Sequence, residues 1–129
     1  MKYRVYISYS AKDSFLAEDL KRRLRDVGVD FSTVQDKPAI TDEADHVRRN
    51  IRAAIQGSSE VIALLTDNSV NNKWVIYEVG MADALERPVT LVLVNEGVEQ
   101  QLQIVGSHFI RYSDLPRYLS SLKKRSEAA

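Results

Sequence analysis

The chain contains no cysteine, which excludes disulfides and thiolate metal sites. Histidine is confined to His46 and His108, too little to support a structural zinc centre. Neither sign of charge prevails: 18 Lys+Arg face 18 Asp+Glu, a formal net charge of zero. That balance argues against broad binding to nucleic acid or to an anionic membrane. Long apolar runs are missing too. Val61–Leu65 and Val89–Val94 are the longest, far below the roughly 20 residues of a membrane span. The first three residues lead straight into a strand pattern, with no room for a signal peptide. At 129 residues the chain suits one domain with its own core. The expectation is a cytoplasmic domain, whole or cut from a longer chain, with no metal, no nucleic acid and no membrane among its partners.

What is present alternates between strand and helix patterns. Tyr3–Tyr9 is β-branched and aromatic and reads as a strand. Asp13 or Ser14 can cap a helix with Leu16, Leu20, Leu24 and Val27 on one stripe and Gly28 at its end. Val29–Val34 reads as a second strand, and Gln35–Asp45, polar and holding Pro38, as a long loop. Val47, Ile51, Ala54 and Ile55 share one face of a second helix that stops at Gly57. Glu60–Thr66 is an apolar strand, and Asp67–Lys73 a loop before a helix reaching about Arg87. Pro88–Val94 is a fourth strand, residues 95–107 show no clear pattern, and His108–Arg111 reads as a short edge strand. A last helix opens at Asp114, carries Lys123, Lys124 and Arg125 near its end, and leaves Ser126–Ala129 as a frayed tail. Apolar strands separated by helices imply a parallel sheet covered on both faces. The fold expected over residues 1–125 is α/β: a flavodoxin-like, doubly wound sheet of about five strands.

In such sheets ligands bind outside the carboxyl ends of the strands, near the switch in strand order. Three loops reach that edge: Ser8–Asp13, Gln35–Asp45 and Asp67–Lys73. Glu78 follows the third by about one turn. Stepping 100° per residue from Trp74 puts Glu78 at roughly 40°, between Leu85 and Ala82 on the sheet-facing side, near its solvent-facing rim. An early-helix acid can simply complement the helix dipole. Apolar flanks add a demand, because a charge among them must be paired, solvated through a cleft, or used. Trp74, one turn earlier, and Tyr9, at the end of the first strand, can wall such a cleft or merely pack.

Two stretches carry a resemblance to a known family. "VYISYSAKD" (Val5–Asp13) resembles the opening box of the Toll/interleukin-1 receptor (TIR) domain of the bacterial kind, and "SSEVIALLTDNSVNNKWVIYEVGMADAL" (Ser58–Leu85) resembles its central block. The spacing of Trp74 and Glu78 matches the family's W-x-x-x-E, and "RPVTLVLV" (Arg87–Val94) follows as its fourth strand does. The resemblance implies an NAD+ glycohydrolase or cyclase that breaks the nicotinamide–ribose bond to give nicotinamide and ADP-ribose or a cyclic isomer. Bacterial enzymes of this kind act in Thoeris-type anti-phage immunity and signalling. By the same resemblance Glu78 is catalytic, while Tyr9, Ser10, Ala11 and Trp74 border the substrate pocket; Asp36 and Asp45, which crowd the BB-loop region where the family has its glycine, are further candidates for substrate binding. NAD+ is then a substrate, so no cofactor is implied. Gln35–Asp45 corresponds to the BB loop, which in this family gates the pocket and meets a neighbouring subunit, so a homo-oligomer is expected.

The chain departs from the family pattern in two places. Ser10 and Ala11 stand where many members carry a basic residue, with Lys12 one step later, and the BB loop lacks its glycine. His46 as a base is the weaker reading beside a solvated histidine at a helix start. Two other functions stay open: an adaptor that only binds other TIR domains, and a nucleoside 2-deoxyribosyltransferase-like enzyme, which "EVGMADAL" (Glu78–Leu85) also resembles.

Overall fold

The computed structural model describes residues 2–35, 37–38, 44–98 and 108–129. Five strands, β1 (Arg4–Ser8), β2 (Asp30–Ser32), β3 (Glu60–Leu65), β4 (Val89–Leu93) and β5 (His108–Arg111), form one sheet in the order β2-β1-β3-β4-β5. Every pairing is parallel. Among the described residues four α-helices cover it: α1 (Ser14–Asp26), α2 (Asp45–Gln56), α3 (Lys73–Ala84) and α4 (Leu115–Ala128). The expected doubly wound, flavodoxin-like sheet is what the chain forms, and its order reverses between β1 and β3.

Strand periodicity of two explains why the core divides. Val5 and Ile7 of β1 pack with Leu20 and Leu24 of α1 and Leu119 and Leu122 of α4. Tyr6 points to the other face, where Ile51 and Ile55 of α2 and Val75, Val79 and Ala82 of α3 lie. β3 and β4 are buried along their whole length, as strands covered on both faces must be.

The ends of elements follow local chemistry. Gly28, at φ +74, takes the left-handed turn that closes α1. Asn72 caps α3, its side chain accepting from the Val75 N–H at 3.0 Å. α3 stops at Ala84, short of Arg87, because Glu86 adopts φ 58 and breaks the helical path. α4 runs on to Ala128 instead of fraying after Arg125. Arg125 is anchored to Glu60 and Ser121, which fixes the turn from which the last residues continue.

A buried carboxylate beside a cleft at the switch point

The residues of β1 that face α3 are Tyr6 and Ser8, two apart. Above them α3 places Glu78, and the carboxylate is completely buried, with 0% exposure. The rim position that the sequence suggested is therefore too shallow; α3 lies low enough on β1 for both oxygens to find strand donors. The Tyr6 phenol donates to Oε2. The Ser8 hydroxyl donates to Oε1 at 2.9 Å, and the Lys37 ammonium lies 3.0 Å from the same oxygen.

Burial pushes the Glu78 carboxyl above its ordinary value, opposed by the Lys37 charge and by the hydrogen bonds from Tyr6, Lys37 and Ser8. The Tyr6 phenol is driven far upward by its own burial and by the neighbouring carboxylate, so it remains a donor. The electrostatic balance is thus a desolvated acid kept competent by two hydroxyls and one ammonium. Tyr6→Phe removes one of the bonds that favour the charged form, so the Glu78 carboxyl is expected to titrate at higher pH than in the parent. Carboxyl-carbon NMR of both proteins checks this, and an unchanged titration would contradict it. The lost bond is also expected to cost about 1 kcal/mol of stability.

Next to this group, outside the carboxyl ends of the strands, lies a cleft of about 300 Å³ walled by Tyr9, Ala11, Val34, Lys37, Asn72 and Trp74. Glu78 itself does not line it; Lys37 comes between. Trp74 is nearly buried, meets Tyr77 edge-on with ring centres 5.7 Å apart, and donates its indole N–H to the Pro38 carbonyl. That bond ties the segment bearing Lys37 to the start of α3.

Of the residues singled out in the sequence, Tyr9, Ala11 and Trp74 come together around the cleft with Glu78 beneath. Ser10 is buried, and its hydroxyl accepts from the Lys12 N–H at 3.3 Å, capping a short turn. Asp45 is exposed in the first turn of α2, paired with Arg48 and away from the cleft, where the helix dipole favours an acid. His46 is exposed beside it. Asp36 lies outside the described residues, as does most of the BB-loop segment. Among the described residues no cluster of three or more metal-ligating side chains occurs.

Sequence reasoning missed Tyr6, Ser8, Lys37 and the second role of Asp13. Asp13 does not cap α1 through its side chain. Its carboxylate accepts from Thr66 at 2.6 Å and Asn68 at 2.7 Å, clamping the loop after β1 to the loop after β3. The alternation of β1 was the available signal for Tyr6 and Ser8, since it puts both on one face.

A larger cavity, about 590 Å³, opens at the opposite edge of the sheet around Glu60. The Glu60 oxygens are already taken by Tyr3, Tyr118 and Arg125. A carboxylate so saturated anchors α4, whereas Glu78 lies beneath the cleft with Lys37 between them.

The TIR domain family profile matches residues 5–125. The chain belongs to the TIR domain family. Among solved structures it is similar to the TIR domain of a Toll-related receptor from Hydra magnipapillata, with 16% identity and TM-score 0.65 over 95% of this chain and 97% of that one. It is also similar to a CMP N-glycosidase from Clostridium botulinum, with 22% identity and TM-score 0.58 over 92% and 97%. The TIR domains of the activated Roq1 resistosome match with 15% identity and TM-score 0.58 over 98% and 85%. At these identities the likeness is one of fold. No curated protein matches the chain. Among the described residues of this TIR domain, no helix is long and apolar enough to cross a membrane.

Proposed function

We propose that this TIR domain is an N-glycosidase that cleaves NAD+ between nicotinamide and ribose, with Glu78 as the group that stabilises the reacting sugar. The observation that carries the reading is the Glu78 carboxylate, fully buried under the cleft at the switch point, one turn after Trp74. The chemistry suits one acid. The C1′–N bond breaks with its electron pair going to the ring nitrogen, so the pyridinium leaves as neutral nicotinamide and needs no proton. The ribosyl cation that remains needs nearby negative charge, which an ionised, water-excluded carboxylate supplies with little reorganisation. Water then adds at C1′ and releases a proton, giving ADP-ribose; attack by a ring nitrogen of adenine gives a cyclic isomer instead. Tyr6 and Ser8 are positioning residues that hold both Glu78 oxygens.

Consumption of NAD+ in the cytoplasm for defence or signalling is part of this proposal. So is assembly of several copies through the Gln35–Asp45 segment, supported by the likeness to TIR domains of a resistosome.

A second reading is favoured by the likeness to the CMP N-glycosidase, of which the chain covers 97%: the base released would be a neutral pyrimidine. Cytosine leaves poorly without a proton, and among the described residues no carboxylic acid besides the underlying Glu78 stands at the cleft to supply one, which places this reading second. The two separate in one experiment. The domain at high concentration is incubated in parallel with NAD+, CMP and deoxynucleosides, and the free base is followed by chromatography. Nicotinamide from NAD+ alone is the expected result. Cytosine from CMP without nicotinamide would replace the first reading with the second, and no base from any of them would leave an interaction module.

A further inference from the structure

Glu78 is fully buried and charged when active, and an ion taken out of water needs a counter-charge close by. Tyr6 and Ser8 supply hydrogen bonds but no charge. Among the described residues, one cation reaches it: the Lys37 ammonium, 3.0 Å from Oε1, on a side chain only 10% exposed. Lys37 belongs to neither a helix nor a strand, so its hold rests on this ion pair and on the neighbouring Trp74–Pro38 bond. It lines the cleft, and Glu78 does not. A substrate whose reacting carbon is to meet Glu78 must therefore move the ammonium aside.

Moving it has a consequence for charge. A neutral ligand that displaces Lys37 leaves a dry carboxylate without a counter-ion. A ligand carrying its own positive ring restores the balance at once. We propose that the Lys37 ammonium holds the place of a cationic leaving base, so that the site selects N-glycosides of positively charged rings over neutral ones. This rests on the reading of the cleft as an N-glycosidase site and adds a specificity-determining residue to it. Lys37 suits the task because an ammonium is a compact charge on a flexible four-carbon stem, easily withdrawn to water. An arginine would fork onto both carboxylate oxygens and release them less readily.

Two probes isolate the charge: N1-methylnicotinamide, a cation, and nicotinamide, its neutral counterpart. Neither has a glycosidic bond, so the test is independent of turnover. Binding is read from the Glu78 carboxyl-carbon signal and from the fluorescence of Trp74, the chain's one tryptophan, whose indole is tied to Pro38 beside Lys37. The cation is expected to shift both signals in the unmodified protein, with nicotinamide weaker by about 100-fold. Lys37→Met removes the internal competitor and is expected to bind the cation about 10-fold more tightly, while Lys37→Arg binds it more weakly than the parent.

Equal binding of the two probes would overturn the proposal, as would a cation that binds Lys37→Met no better than the parent or fails to move either signal. Should Lys37→Met not fold, the Arg variant and the probe pair still decide. If NAD+ is not cleaved but the cation displaces Lys37, the specificity inference survives and the enzymatic reading fails. If NAD+ is cleaved and ring charge makes no difference, only the inference falls.

Discussion

Glu78→Gln is expected to melt several degrees above the parent at neutral pH while losing the proposed glycosidase activity. The sign follows from burial. Desolvation raises the folded-state carboxyl above its ordinary 4.5, so the native state holds the proton more firmly than the unfolded chain. Stability from this group is complete below about pH 4.5 and is lost as pH rises through the raised folded value. At neutral pH the buried charge is a burden on the fold that a neutral amide of the same shape does not impose. The gain expected is about 1 kcal/mol, or about 3–4 °C for a domain of this size. It should vanish as the pH falls to 4. Lys37, released from its partner, lines an open cleft and can turn to water. Thermal unfolding at pH 7 and pH 4 checks the claim. A Gln variant less stable than the parent at pH 7 would mean that Tyr6, Ser8 and Lys37 more than offset the desolvation.

The same substitution at the other buried glutamate is expected to act in the opposite direction. Glu60 is only 5% exposed, and beside the phenols of Tyr3 and Tyr118 both of its oxygens accept from Arg125, which can only donate, through two nitrogens each 3.2 Å away. In Glu60→Gln an NH2 group replaces one acceptor oxygen among these donors. Two charge-assisted bonds weaken, and the half-exposed Arg125 guanidinium loses its counter-charge. The expected cost is about 2 kcal/mol, which lowers the melting temperature by about 6–8 °C. Because Glu60 lies at the far edge of the sheet, the proposed NAD+ cleavage per folded molecule should not change. Calorimetry beside an activity assay decides the matter, and an unshifted transition would show that α4 does not depend on this anchor.

The contrast between these two glutamates shows where the sequence was legible. Apolar strands between helices, with stops such as Gly28 and Gly57, specify local structure through short-range rules, and the five strands appeared close to where those rules put them. Glu78 stood out because the helical repeat placed a charge among Trp74, Ala82 and Leu85. Its depth did not, since that depends on how low α3 sits on β1. Tyr6, Ser8 and Lys37 are 72, 70 and 41 residues from Glu78 in the chain, and no local pattern reports contacts over such separations. Lys37 looked like one polar residue in a polar loop. Asp13 looked like a helix cap because that role needs only its neighbours, whereas Thr66 and Asn68, distant in sequence, compete for the carboxylate from the end of the adjoining strand. Glu60 read as the first residue of a strand, and the phenols that surround it come from both ends of the chain.

Nicotinamide release from NAD+, measured side by side for the parent and Glu78→Gln at high protein concentration, tests the role of this carboxylate most directly. The parent is expected to release nicotinamide, and the folded Gln variant to do so at least about 1000-fold more slowly, the scale of losing a main electrostatic stabiliser of the transition state. A folded Gln variant that releases nicotinamide at the parent's rate would remove Glu78 from the chemistry and contradict the account.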